Sequence, residues 1–97
     1  MLMSRKIPII NILKVIVVKI YEYEGKKNIC GQRVHEARTR LRLTQSDLAA
    51  QLQVNGVMIE RDSVSRIEIG TRFVADYELK MLAQLLKVSV AWLLGLE

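Results

Sequence analysis

Residues 44–70 read TQSDLAAQLQVNGVMIERDSVSRIEIG, and this stretch sets the character of the 97-residue chain. Thr44 is a good helix N-cap, and Asp47 three residues on closes a capping box. Leu43, Leu48, Ala49 and Leu52 recur at helical spacing and give one apolar face, leaving Gln45, Ser46 and Gln51 outside. The helix should end near Gln53, because Asn55-Gly56 is a strong turn dipeptide. Val57, Met58 and Ile59 then form a loop that tucks apolar groups inward. A second helix is expected from about Arg61 to residue 69. Val64, Ile67 and Glu68 fall on one of its faces, and Arg61, Asp62, Ser65 and Arg66 on the other. Gly70 supplies the stop.

Two short helices joined by a turn, with polar and basic groups on the second, are what a DNA-reading helix needs. Thr44-Gln45, Asp47-Leu48-Ala49, Ser65-Arg66-Ile67-Glu68 and Gly70 together resemble the Cro/repressor-type helix-turn-helix family, the xenobiotic-response-element regulators that include the lambdoid phage repressors. The resemblance extends both ways. Residues 31–43, GQRVHEARTRLRL, are similar to the family's first helix, and residues 78–95, ELKMLAQLLKVSVAWLLG, to its last two. Residues 29–97 are covered. The implied fold is an all-α, five-helix, lambda-repressor-like bundle.

One departure stands out. Leu48 and Val64 are 16 positions apart, more than the family's tight turn requires. A tight-turn alternative, with Asn55 as cap and Ile59 in the core, buries Asp62 and Ser63 and leaves Ile67 without a role. The longer turn keeps the Ser65–Glu68 motif in register and is preferred.

A chain of this length is one small domain. The first helix is expected to bury Val34, Ala37 and Leu41. The fourth should bury Leu79, Leu82, Ala83 and Leu86. The fifth, capped by Ser89, should bury Val90, Leu93 and Leu94.

The net charge of +5 suits an anionic partner, but six basic and two acidic residues lie within positions 1–28, so residues 29–97 are nearly neutral. Placement must therefore carry any nucleic-acid claim. Arg61 and Arg66 are candidates for bidentate contact with guanine, and Ser65 for a base or phosphate. Asp62 is a fourth candidate at the bases, or a holder of Arg61 or Arg66; the holding role is favoured, since phosphates repel a carboxylate. By resemblance, Gln45 matches the family's phosphate-binding glutamine. Thr44 and Arg72 are further phosphate candidates, fixing register rather than sequence. Arg38 and Glu68 match, by resemblance, a partly buried ion pair between the first and third helices. Each lies on the apolar side of its helix, so both are kept off the DNA.

Other chemistry finds little support. Cys30 and His35 are the only residues of their types, too few for a zinc site, which takes three or four ligands. One cysteine makes no internal disulfide, and a reducing cytoplasm is the default. There is no Gly-rich phosphate loop, and no enzyme, cofactor or metal is expected.

Residues 1–28 change the composition. Positions 7–20 are rich in β-branched residues, but Asn11, Lys14 and Lys19 interrupt them, and the run is too short and charged to span a bilayer. No membrane association is expected. The segment is assigned to an extension outside the domain, with a strand or short helix as alternative and Gly25-Lys26-Lys27 as linker.

Two functions follow as expectations. The first is a cytoplasmic transcriptional regulator, a repressor that occupies double-stranded operator DNA as a homodimer, with Trp92, Leu94 and Leu96 as self-contact. The second is an antitoxin-like or adaptor protein that binds a protein partner, with DNA autoregulation secondary. Its mark is an apolar surface outside the core, with Ile7 to Ile20 or Trp92 to Leu96 as its source.

Overall fold

The computed structural model describes residues 22–97. Five helices follow one another there: α1 (Gly31–Arg40), α2 (Gln45–Val54), α3 (Arg61–Ile69), α4 (Asp76–Leu86) and α5 (Val90–Leu93). The fold is all-α, as the periodicity implies, and the only strand-like pairing among the described residues is the isolated bridge Tyr23–Lys26. The expected extension lies, over residues 1–21, outside the described residues.

Helix α2 starts as its sequence dictates. The Thr44 hydroxyl accepts from the Asp47 N–H at 2.9 Å, and Asp47 Oδ2 accepts from the Thr44 N–H at 2.9 Å. Two otherwise orphaned donors are thereby satisfied. These bonds hold the Asp47 carboxyl below its ordinary value of 3.8. A Thr44→Ala protein should lose about 1 kcal/mol, read as a lower urea midpoint; an unchanged midpoint would show that the cap is idle.

All five helices close with one device. At the end of α3, the Thr71 N–H donates to Arg66 and the Gly70 N–H to Ile67, with Gly70 in the left-handed region at φ 86. Equivalent bond pairs end α1 at Leu43 and Arg42, α2 at Val57 and Gly56, α4 at Val88 and Lys87, and α5 at Leu96 and Gly95. This is the Schellman arrangement, which favours glycine at the left-handed position. Arg42 and Lys87 occupy that position with φ near 60, against the preference of a side chain.

The turn between α2 and α3 takes the longer course, and α3 begins at Arg61. Val57 and Ile59 are buried, but Met58 is 73% exposed, which corrects the expectation that all three tuck inward. The Ile59 N–H donates to the Val57 carbonyl at 2.9 Å, so Met58 sits at the apex of a three-residue turn. The flanking side chains point in while the apex points out. Gln53 Nε2 donates to the Ile59 carbonyl at 3.1 Å and braces the turn from α2.

The core comprises Val34, Ala37, Leu48, Ala49, Leu52, Val57, Ile59, Val64, Ile67, Leu82, Ala83, Leu86 and Leu93, with Cys30 at its edge. Leu41 and Leu79 pack against it only partly buried, Leu94 is likewise half-buried, and Val90 is exposed. The reason at α5 is length: one helical turn points one side chain, Leu93, squarely inward. Trp92 is half-buried beneath Arg33, whose guanidinium lies 4.4 Å from the ring centroid and donates to the Trp92 carbonyl at 3.0 Å. A cation over an indole face is attracted by its quadrupole.

The fold begins earlier than residue 29. Asn28 Oδ1 accepts from the Gly31 N–H at 2.8 Å and so caps α1. Its Nδ2 donates to the carbonyls of Ile67 and Arg72, at 3.1 and 2.8 Å, binding the end of α3 to the start of α1. The Lys27 N–H donates to the Gly70 carbonyl at 2.8 Å. The Gly25-Lys26-Lys27 stretch is therefore no loose linker. Glu24 and Gly25, at φ 52 and 79, form a closed two-residue turn between Tyr23 and Lys26.

Candidate nucleic-acid interface

The outer face of α3 is built by subtraction. Val64 and Ile67 are drawn into the core and Glu68 against α1, so the positions opposite them face outward. Arg61, Asp62 and Arg66 are exposed and Ser65 is half-buried. Asp62 Oδ1 lies 3.3 Å from Arg61 Nη1, and the Asp62 carbonyl accepts weakly from Arg66 Nε at 3.4 Å. Asp62, the second residue of α3, thus touches both arginines, one through its carboxylate and one through its backbone. With both partners of the Arg61–Asp62 pair solvated, the contact orients more than it stabilises.

The N-terminus of α2 lies beside α3 through Gln45. Gln45 is half-buried, and its Nε2 donates to Glu68 Oε1 at 3.1 Å. Thr44 is exposed and retains its hydroxyl proton as a donor while its oxygen caps the helix. The N–H groups of Gln45 and Ser46 have no acceptor within the helix. Arg72 is differently placed. Its two Nη atoms donate to both oxygens of Glu78, at 3.0 and 3.2 Å, and Nη1 also to the Phe73 carbonyl at 2.8 Å. Of its five N–H groups, two remain for other work.

Beneath this surface lies a buried polar cluster. Arg38 donates through Nε to Glu68 Oε2 at 2.6 Å and through Nη2 to Oε1 at 3.0 Å, a bidentate pair between α1 and α3. Arg38 Nη1 donates to the Leu43 carbonyl at 2.7 Å. His35 Nδ1 lies 3.0 Å from Glu68 Oε1 and 3.1 Å from Arg38 Nη2. Since Glu68 only accepts, the contact is productive when Nδ1 carries the proton. The Arg38 and Glu68 side chains are 10% and 5% exposed, so the pair is a buried one. Among the described residues, every buried side-chain nitrogen and oxygen has a partner.

Three members of this frame escaped the sequence. Nothing but composition marks Asn28, His35 could be placed only after Glu68, and Gly31 looks like an ordinary helix start. Its neighbours say otherwise. A Cβ on Gly31 would stand 2.1 Å from the Ile67 carbonyl oxygen and 2.9 Å from that of Glu68. The first turn of α1 therefore rests directly on the backbone of α3.

The two buried carboxylates make stability pH-dependent. Burial pushes Glu68 up, but hydrogen bonds from Arg38, His35 and Gln45 and the Arg38 charge outweigh it, and the net shift is downward from 4.5. Burial likewise raises Glu78, and Arg72 with the Ala75 N–H bring it below 4.5. Groups lowered on folding stabilise fully above their unfolded value, and that stability fades as the pH falls through the folded value. The urea midpoint should therefore hold from pH 7 to 5 and fall steadily below about 4.5. A midpoint unchanged down to pH 3 would mean that neither carboxylate is coupled to folding.

Cys30 is buried, and burial pushes its thiol up to about 11. At neutral pH it is a protonated core residue rather than a nucleophile. Among the described residues no group of three or more His, Cys, Asp or Glu could hold a metal ion, and no helix is long and apolar enough to cross a membrane. No protein-family model, curated protein or solved structure matches the chain.

Proposed function

We propose that the protein is a sequence-specific DNA-binding regulator of the Cro/repressor helix-turn-helix type, a cytoplasmic repressor that occupies operator DNA as a homodimer. The observation that carries this reading is the outward face of α3, where Arg61, Asp62, Ser65 and Arg66 stand on a helix anchored by Val64 and Ile67. α3 enters the major groove by its N-terminal half. Arg61 and Arg66 bond to guanine edges, Ser65 to a base or phosphate, and Asp62 holds the arginines in a fixed fan. Thr44, Gln45 and the free N–H groups of α2 grip the backbone on one side. Arg72 adds a weaker phosphate contact, because Glu78 already neutralises it. Leu96, exposed at the chain's C-terminal end beside Leu94 and Trp92, serves the self-contact.

The decisive variants are Arg61→Ala and Arg66→Ala. Each should weaken operator binding by about 1–3 kcal/mol and relax preference at one base pair. Equal weakening on operator and scrambled duplex would reduce both arginines to phosphate contacts.

A second reading, an antitoxin-like or adaptor protein, has one observation in its favour. Val54 is 87% exposed beside Ala50 and Leu85, an apolar surface between α2 and α4. A co-purifying protein lost on Val54→Glu would move this reading ahead.

A further inference from the structure

We propose that Glu68 is a positioning residue for DNA binding: it aims the Gln45 carboxamide at a backbone phosphate without itself touching DNA. This rests on the regulator reading above and deepens it.

Gln45 is the first residue of α2, and a glutamine at an exposed helix end would ordinarily spend its time in several rotamers. Here the choice is made by chemistry. An ionised carboxylate has only acceptors, so the group that meets Glu68 Oε1 at 3.1 Å is Nε2 and not the amide oxygen. One Nε2 hydrogen is used in that bond. The second lies in the same rigid amide plane, and its direction is set with the first. It remains available to an acceptor at the end of α2, beside the N–H groups of Gln45 and Ser46 that lack intrahelical partners.

Glu68 can impose this direction because it is itself held by hydrogen bonds. Arg38 holds both of its oxygens, and the Leu43 carbonyl holds Arg38. The series Leu43 carbonyl, Arg38, Glu68, Gln45 runs from the end of α1 through α3 to the start of α2. One carboxylate on α3 thus registers the phosphate-gripping side chain of α2 against the helix that reads bases. His35 Nδ1 approaches the same Oε1 at 3.0 Å from the other side but reaches no part of α2.

Charge and positioning predict opposite signs, which makes the idea testable. Glu68 is an anion near phosphates, so a merely electrostatic role means that neutralising it tightens binding. A positioning role means that neutralising it loosens binding, through the side chain it orders.

The experiment is a double-mutant cycle on the full chain, by fluorescence anisotropy with duplex DNA from its own promoter, at a temperature where circular dichroism shows each variant folded. Glu68→Gln should weaken binding about two- to tenfold, the ordering cost of one rotamer-rich side chain. In a Gln45→Ala background it should have no further effect, since the group it positions is gone. His35→Ala should leave affinity within about twofold. Tighter binding by Glu68→Gln, or the same loss in both backgrounds, overturns the inference while leaving the regulator reading intact. Absence of promoter-specific binding by the unsubstituted chain overturns that reading and this inference with it. A nitrogen–proton spectrum of the unsubstituted chain without DNA gives a test that needs no stable variant. The two Gln45 carboxamide protons should be well separated, with one slow to exchange, and averaged signals like those of a free glutamine overturn the inference.

Discussion

An Arg38→Met protein should lose about 3–5 kcal/mol of stability, a large part of the total for a domain of this size. The substitution keeps most of the side-chain volume but leaves Glu68, 5% exposed, without its bidentate partner. His35 and Gln45 remain within reach of Oε1, and Oε2 is left with none. An uncompensated buried carboxylate must then be desolvated or protonated, and either costs more than the attraction between the pair gains. Two further results should accompany the loss. Pairing Arg38→Met with Glu68→Leu should recover most of it, because the stranded charge and not the missing bond is the main penalty. Acid sensitivity should also change, since the unpaired Glu68 would be protonated at higher pH and contribute less to the fall below 4.5. Thermal melts give the first reading. A drop of at least about 10 °C is expected for 3 kcal/mol or more, and a shift within a degree or two would mean that the pair holds nothing together.

Gly31→Ala should be almost as damaging, at about 3 kcal/mol, for a reason unrelated to charge. The new methyl would meet two backbone carbonyl oxygens of α3, at 2.1 and 2.9 Å, and backbone gives way less readily than a side chain. α1 must then move off α3, which also lengthens the Asn28 bonds to Gly31 and Ile67 and the Arg38–Glu68 contact. Gly56 makes a useful comparison. It has φ 85 and no atom within 4 Å of a built Cβ, so Gly56→Ala carries only local backbone strain of about 1–2 kcal/mol. Urea denaturation should rank Gly31→Ala as the more harmful of the two. The opposite ranking would mean that α1 and α3 are not seated on one another as described.

The contrast between these two glycines shows where sequence is informative. Local signals were legible. The Thr44–Asp47 box, the Asn55-Gly56 stop and Gly70 are short-range patterns whose hydrogen bonds lie within a few residues, and α2 and α3 begin and end close to where those residues place them. The exposed row of Arg61, Asp62 and Arg66 was legible too, because Val64 and Ile67 fix the inward face. Legibility failed where a contact spans distant positions. Asn28 reaches Ile67 and Arg72, His35 reaches Glu68, and Gly31 is required by carbonyls near residue 67. No periodicity encodes such pairings. Met58 failed for another reason: an apolar run has no intrinsic direction until the backbone turns, and a turn apex sends its own side chain outward. Arg72 shows a limit of reading charge by position, since the residue that neutralises it lies six positions on in the next helix.

The central claim is that the α3 face reads base sequence. Fluorescence anisotropy of the full chain, on duplex DNA from its own promoter beside a scrambled duplex of equal length across a salt series, tests it most directly. Tight binding to the promoter alone is expected, at least about a thousandfold over the scrambled duplex, with log affinity falling linearly against log salt. Equal, weak binding to both duplexes would contradict it, leaving phosphate attraction only and turning attention to a protein partner at Val54 and Leu85.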